Sequence, residues 1–248
     1  MIGFGTFFNI ATILVGTLLG TLLGSKLSEK TSRTVTDSLG LITIVLGGLN
    51  LMSLMDKEYA AAVTGPGTFF VVIFAILFGG IIGSFLKIEE RLEGFGGWLQ
   101  KKFAKKATGS EARQRFITGF VDASLIFAIG PMAILGSMSD GLGQGSNTLV
   151  VKSILDGFAS IAFAASLGWG VAASAITVGI WQGLLTGVAY FAGAGIPVAM
   201  VSAITATGGI LMLGIGLRLL KLRSVAVADM LPALVLAPLF TWLVASIL

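Results

Sequence analysis

A chain of 248 residues that is 55% hydrophobic and only 11% charged, with a mean hydropathy of +0.98, has too little polar surface to fold as a soluble domain; such domains carry about 25% charged residues. The absence of both Cys and His excludes thiolate nucleophiles, disulfides, Cys/His zinc sites and imidazole acid–base chemistry. The net charge of +4 sits in a few short connecting segments, a pattern of topology signals rather than of a nucleic-acid-binding face.

A helix rises 1.5 Å per residue and needs about 20 apolar residues to cross a hydrocarbon layer of roughly 30 Å. Stretches at 5–24, 36–55, 67–86, 116–138, 149–168, 171–192, 197–217 and 230–248 meet that length, and predict an all-α membrane bundle of seven or eight spans in one domain, 1–248. The opening MIGFGTFFN has no basic n-region and no small-residue cleavage signal, so the first stretch is expected to be a retained span. Gly is abundant, 35 residues against 5 Pro, which predicts close helix–helix packing. Those glycine faces fit packing within one protomer or between two, so a homodimer stands as one reading.

Asn9 in the first stretch and Asn50 in the second are polar residues at membrane depth. Lys26, Lys30 and Arg33 follow the first stretch, Arg218, Lys221 and Arg223 follow the seventh, and Lys101, Lys102, Lys105, Lys106, Arg113 and Arg115 lie in the 88–115 connector. All fall on one side of an eight-span chain; that side is expected to be cytoplasmic, with both termini outside. Within the connector, Ile88, Leu92, Phe95, Leu99 and Phe103 recur at three- and four-residue spacing beside Trp98, Lys101, Lys102, Lys105 and Lys106. This pattern predicts an amphipathic helix on the cytoplasmic leaflet, its lysines over anionic headgroups.

The fourth stretch holds Asp122, Ser124 and the pair Gly130-Pro131. A carboxylate near the middle of a span costs about 2.5–3.5 kcal/mol, so Asp122 must be hydrogen-bonded, face a cavity or lie on an ion path. Pro131 removes an amide donor and clashes with the preceding turn, which predicts a bend or break near mid-membrane, where freed carbonyls suit a cation and a half-helix N-terminus suits an anion. The fifth stretch holds Asp156 one turn after Lys152, a spacing that suits either a neutralising ion pair or a gating partnership. Gln182 lies in the sixth. Asp140 sits in the oxygen-rich loop 139–148, which lacks the spaced carboxylates of an EF-hand. Walker, H-E-x-x-H and G-x-S-x-G sequences are absent, so neither an enzyme nor a cofactor is expected.

Two internal likenesses stand out. Gly5-Thr6-Phe7-Phe8 recurs as Gly67-Thr68-Phe69-Phe70, and the pair of stretches ending LGGLNL matches, in opposite orientation, the pair ending LGIGLRLL. An inverted repeat of that kind places a substrate site near the midplane between repeats.

The run Phe127 to Ser137 containing Gly130-Pro131-Met132-Ala133, followed by Asp140-Gly141-Leu142 and by Lys152-Ser153-Ile154-Leu155-Asp156-Gly157-Phe158, resembles the YdfK/YqgA-type family of bacterial inner-membrane proteins of unknown function. The likeness extends to Gly5-Thr6 with Asn9 and to Met230-Leu231-Pro232-Ala233-Leu234, and so covers essentially the whole chain. It implies a polytopic fold in the inner membrane, no particular substrate, and one shared motif containing Pro131, Asp140, Lys152 and Asp156. The tetrapeptide Asp156-Gly157-Phe158-Ala159 is also similar to the Asp-Ala-Phe-Ala element of small manganese exporters of the lysine-exporter superfamily, which makes divalent-cation export one possibility to test.

The leading expectation is a secondary transporter or channel for a small solute or ion, with Asp122 and Asp156 as ion or proton sites and Gly130-Pro131 as hinge and source of backbone ligands. The alternative is a membrane sensor or scaffold that acts through the basic 88–115 segment.

Overall fold

The computed structural model describes residues 2–103, 110–193 and 195–247. Their α-helices are α1 (Phe4–Gly24), α2 (Glu29–Leu51), α3 (Lys57–Ala62), α4 (Gly67–Leu86), α5 (Ile88–Phe103), α6 (Ser110–Ala128), α7 (Pro131–Gly141), α8 (Asn147–Leu167), α9 (Gly170–Ala192), α10 (Val198–Leu219) and α11 (Ala233–Ile247). Seven spans are long and apolar enough to cross a membrane, and α6 with α7 forms an eighth candidate bent by 63°. The all-α bundle read from the sequence is therefore the fold. Three details differ. α2 starts at Glu29 rather than 36, its first turn capped by Ser28 Oγ accepting from Thr31 N–H at 3.1 Å, so a polar turn precedes the apolar stretch. The loop after it contains α3, whose first turn is capped by the Asp56 carboxylate accepting from Tyr59 N–H at 2.9 Å. The last stretch is interrupted, since a 3₁₀ turn (Ala228–Met230) precedes α11.

The chain forms two compact units, one of residues Met1–Leu39 and Leu92–Gly195, the other of Gly40–Arg91 and Ile196–Leu248. In the first, α1 lies along α8 with backbones in contact. A Cβ at Gly16 would overlap the Gly157 carbonyl, one at Gly20 the Ile161 carbonyl, and one at Gly24 the Ala165 carbonyl. The numbers rise together on both helices, so α1 and α8 run parallel. Small residues at a four-residue step give this close approach, and in lipid, where apolar burial offers no preference between tail and protein, packing of this kind is the main attraction.

The same register settles how α6 and α7 are placed. Near its start α6 meets Gly170 through Phe116 and Leu167 through Gly119, level with the C-terminal end of α8. α7 ends beside the opposite level, with Gly136 against Leu149 and Asp140 bonded to Gly5 N–H. The pair enters at one end of α8 and leaves at the other, so it is one broken span and not a re-entrant loop. The broken fourth span expected from Gly130-Pro131 is thus present.

In the second unit, Gly47 packs on Gly209 and Gly40 on Gly216 and Leu220, which sets this part of α2 antiparallel to α10. Gly79 on Ala233 and Gly83 on Asp229 set α4 antiparallel to the α11 segment. Glu89 closes that end: Oε1 accepts from Arg218 Nη1 at 2.7 Å, Oε2 accepts from Ala228 N–H at 2.7 Å, and Glu89 N–H donates to Asp229 Oδ1 at 2.8 Å.

Gly20→Ala forces α1 and α8 apart and is expected to cost about 1–3 kcal/mol, the usual penalty of overpacking. Gly48→Ala, where a Cβ meets nothing within 4 Å, is expected to leave stability unchanged. Unfolding titrations of the two variants in mixed detergent check the contrast.

Candidate functional site

α8 carries Lys152, Ser153, Asp156, Gly157 and Ser160 on its buried side. The i,i+4 spacing brings Lys152 Nζ onto Asp156 Oδ2 as an ion pair. Because Gly16 and Gly157 let α1 come within backbone contact, Asn9 reaches the same oxygen and its Nδ2 donates to Asp156 Oδ2 at 3.0 Å. Asn9 is fully buried, and Lys152 and Asp156 are 6% and 8% exposed. The sequence reading left open whether Lys152 neutralises Asp156; the structure shows the pair formed. A closed pair with one further donor on the carboxylate is what permits two charges to sit inside a span.

Asp140, from the last turn of α7, is 3% exposed and its Oδ2 accepts from Gly5 N–H at 3.2 Å. It therefore sits on the first turn of α1, where amide donors lack helical partners and a negative charge is favoured. It joins α1 to α7 rather than pairing with Lys152. Asn9, Asp140, Lys152 and Asp156, scattered over 147 positions of sequence, thus belong to one corner of the first unit.

The break itself lies at Gly130, with φ 145 and ψ 152, followed by Pro131 as the first residue of α7. That φ is strained for any residue with a Cβ. Pro131 has no N–H to give Phe127, and Ala133 N–H donates to Gly130 O at 3.2 Å instead of to Ile129 O. The carbonyls of Phe127 and Ile129 therefore lose their helical donors at the middle of a span, while α7 presents its N-terminal end there. Asp122 is fully buried on α6, about two turns before the break. Ser124 donates to Thr177 Oγ1 of α9 at 3.2 Å.

Gln182 of α9 is fully buried, and neither its Oε1 nor its Nε2 has a hydrogen-bond partner among the described residues. Thr6, Thr186 and Ser160 hydroxyls and Asn9 Oδ1 are in the same condition. A buried group left unpaired costs about 1–3 kcal/mol. Thr6 and Thr186 border an open, largely apolar groove of about 340 Å³ between α1 and α9, with Phe7 and Tyr190 exposed beside it. A second, apolar cleft of about 670 Å³, lined by Leu14, Leu99, Phe116, Ala172, Ile176 and Ile180 among others, lies further along the same two helices. Ile10, on which Gly179 would clash if it bore a Cβ, lines both.

The remaining sequence candidates lie elsewhere. Asn50 belongs to the second unit and donates to Met212 Sδ at 3.3 Å. In the connector, α5 is a helix, but Phe95 does not join Leu99 on the buried side: the face against α6 is Gly96, Gly97, Leu99 and Gln100. Small residues allow α5 to approach Ile117 and Phe120 closely, which leaves Phe95 at the edge of the contact, half-exposed, its ring 5.9 Å from Phe120 and stacked on Trp98 with centroids 5.7 Å apart. Lys102 Nζ stands 5.0 Å from the Trp98 ring, a cation–π contact, and Lys101 is exposed. Lys105 and Lys106 lie outside the described residues. Sequence reading missed the Glu89 clasp, whose partner Arg218 is 129 positions away, and missed Thr6 and Thr186, which are common residues in spans and carry no signal until the helices are placed.

Spans of this length, arranged in two helical units with a buried ion pair and a broken helix, define a polytopic α-helical membrane protein. The chain belongs to the family described as "Protein of unknown function (DUF554)", which its residues 4–242 match. It is 28% identical over 243 residues to the uncharacterized membrane protein YdfK of Bacillus subtilis, covering 97% of this chain and 96% of that one. It is 29% identical over 236 residues to the uncharacterized protein YqgA of Escherichia coli, covering 94% of each. No solved structure matches it.

Asp156→Asn leaves the Lys152 ammonium buried without its counter-charge and is expected to destabilise the protein by about 3–5 kcal/mol. Lys152→Met with Asp156→Leu removes both charges and is expected to recover most of that loss. A double-mutant cycle on thermal unfolding measures the coupling between the two.

Proposed function

We propose that the protein is a secondary transporter for a small solute, with its site in the first unit, around Asn9, Lys152 and Asp156. The observation that carries the reading is the conjunction of a buried charge pair with a span broken at Gly130-Pro131 in the same helical unit. Irregular backbone at membrane depth is tolerated where it is buried or lines a cavity, and discontinuous helices of this kind form the binding sites of many carriers. In this reading the Phe127 and Ile129 carbonyls and the start of α7 offer backbone ligands, and Gly130 is the hinge. Asp122 and Asp156 are the ion or proton sites that couple flux to a gradient. The basic connectors face the cytoplasm and both termini lie outside the bacterial inner membrane. The inverted repeat relating 5–55 to 171–217 belongs to the same reading.

The connector supports a second reading on its own observation. The half-exposed Phe95–Trp98 stack with Lys102 beside it is a surface suited to a leaflet or a soluble partner, as a sensor or scaffold would need.

Flux through reconstituted liposomes separates the two. Light scattering follows swelling in isosmotic urea, glycerol or glycine, and entrapped dyes follow protons, monovalent and divalent cations. The transport reading expects at least one flux above that of protein-free vesicles, slowed about tenfold or more, roughly 1.4 kcal/mol of barrier, by Asp122→Asn and by Asp156→Asn. Variants that remain folded and carry every flux unchanged would sink it. Loss of cellular activity on Trp98→Ala, with both Asp substitutions silent, is the outcome expected of a sensor.

A further inference from the structure

The larger cleft, of about 670 Å³, is walled by apolar side chains and reaches only halfway along its helices. α1, α5, α6 and α9 all line it, through Leu14, Leu99, Phe116, Trp169, Ala173 and Ile180 among others. Leu99 and Phe116 are its buried wall, while Leu14, Trp169 and Ile180 are exposed at its open side. On α9 it runs from Trp169 to Ile180, roughly 16 Å at 1.5 Å per residue. That is the depth of one leaflet, half of a hydrocarbon layer of roughly 30 Å. Ile10 marks the inner end. A Cβ on Gly179 would lie 2.8 Å from its Cδ1, and the groove beyond it is a separate one.

The outer end is basic. Lys102 follows Leu99 by three residues and Arg113 precedes Phe116 by three, so each stands about one turn from a lining residue on the same side of its helix. Lys102 lies over the Trp98 ring. The Arg113 guanidinium lies against α5, where a Cβ at Gly97 would be 2.9 Å from its Nη2. Between Leu99 and Phe116 the chain carries Lys101, Lys102, Lys105, Lys106, Arg113 and Arg115 against the single acid Glu111.

Length and charge together select an occupant. A helix from a second copy or a partner crosses the whole layer and would have to pass Ile10. A fatty chain from one leaflet ends at the midplane, where this cleft ends, and cationic side chains at the surface attract anionic headgroups. We propose that the cleft holds an acyl chain of an anionic phospholipid from the leaflet on the α5 side, its phosphate beside Lys102 and Arg113. Such a lipid touches α1, α5, α6 and α9 at once and ties the basic connector to the spans. It rests on neither the transport nor the sensor reading.

The test uses the full chain purified in detergent, with phosphatidylglycerol and phosphatidylcholine of identical chains. In native mass spectra the first phosphatidylglycerol is expected to bind about tenfold tighter than the first phosphatidylcholine, or more. Equal affinities overturn the anionic site. Lys102→Gln with Arg113→Gln is expected to bring the two lipids within about twofold of each other, and an undiminished preference overturns the headgroup placement. Ala173→Phe narrows the cleft and is expected to weaken the first phosphatidylglycerol about tenfold; unchanged binding overturns the acyl site. Gly48→Phe, on an exposed part of α2 where a Cβ meets nothing within 4 Å, is the control expected to change nothing. Location is also read on the unaltered protein, so a folding defect in a variant does not decide the outcome. One equivalent of phosphatidylglycerol with a mid-chain diazirine is irradiated, and its adducts are expected in residues 10–14 of α1 and 172–180 of α9. Adducts spread evenly over the lipid-facing spans overturn the site. A dimer that excludes the lipid overturns it as well, and names a second copy as the occupant.

Discussion

Everything in the first unit depends on the approach of α1 to α8. Lipid tails are as apolar as leucine, so a pair of spans gains little from burying apolar side chains against each other and must gain it from close contact. Gly16, Gly20 and Gly24 provide that contact by lying directly on the carbonyls of Gly157, Ile161 and Ala165. The consequence is chemical as well as structural. At the same register Asn9 is carried to within 3.0 Å of Asp156 Oδ2, and the start of α1 is carried to Asp140. A larger residue anywhere along this seam would separate groups whose chemistry requires contact.

Polar satisfaction is the second constraint, and the molecule meets it unevenly. Two ion pairs are held inside the described residues, Lys152 with Asp156 and Glu89 with Arg218, and Asp140 accepts from Gly5 N–H. The exceptions cluster in the first unit, as the Gln182 amide, the Thr6 and Thr186 hydroxyls and one end of Asn9. At membrane depth an unpaired neutral dipole is a smaller liability than an unpaired charge. The broken span adds freed carbonyls to the same unit. Stability is held by the seams of small residues, which leave several buried polar groups of the first unit without a hydrogen-bond partner among the described residues.

Lys152 and Asp156 show how an expectation changes once geometry is known. Spacing alone allowed Asp156 to be an isolated ion site or half of a neutral pair. The pair is formed and shares its carboxylate oxygen with Asn9, so any proton or ion that uses Asp156 must compete with an ammonium already present.

The sequence by itself determined the class. Apolar runs of about 20 residues leave a chain no other way to satisfy its backbone than as membrane-spanning helices, and α1, α4, α8, α9 and α10 match the expected stretches to within three residues at either end. It also pointed to the break, since Pro131 cannot donate the bond that continuity requires, and it put Lys152 within one turn of Asp156, while whether the two pair was decided by the structure. Tertiary structure decided the rest. Asn9 and Asp156 are 147 positions apart and Glu89 and Arg218 129; no periodicity connects them, because their meeting depends on which small residues nest on which carbonyls. The same holds for α5, whose amphipathic pattern named Phe95 and Leu99 as one stripe. Packing through Gly96 and Gly97 buried only the second, because how closely two helices approach depends on both partners and not on either sequence alone.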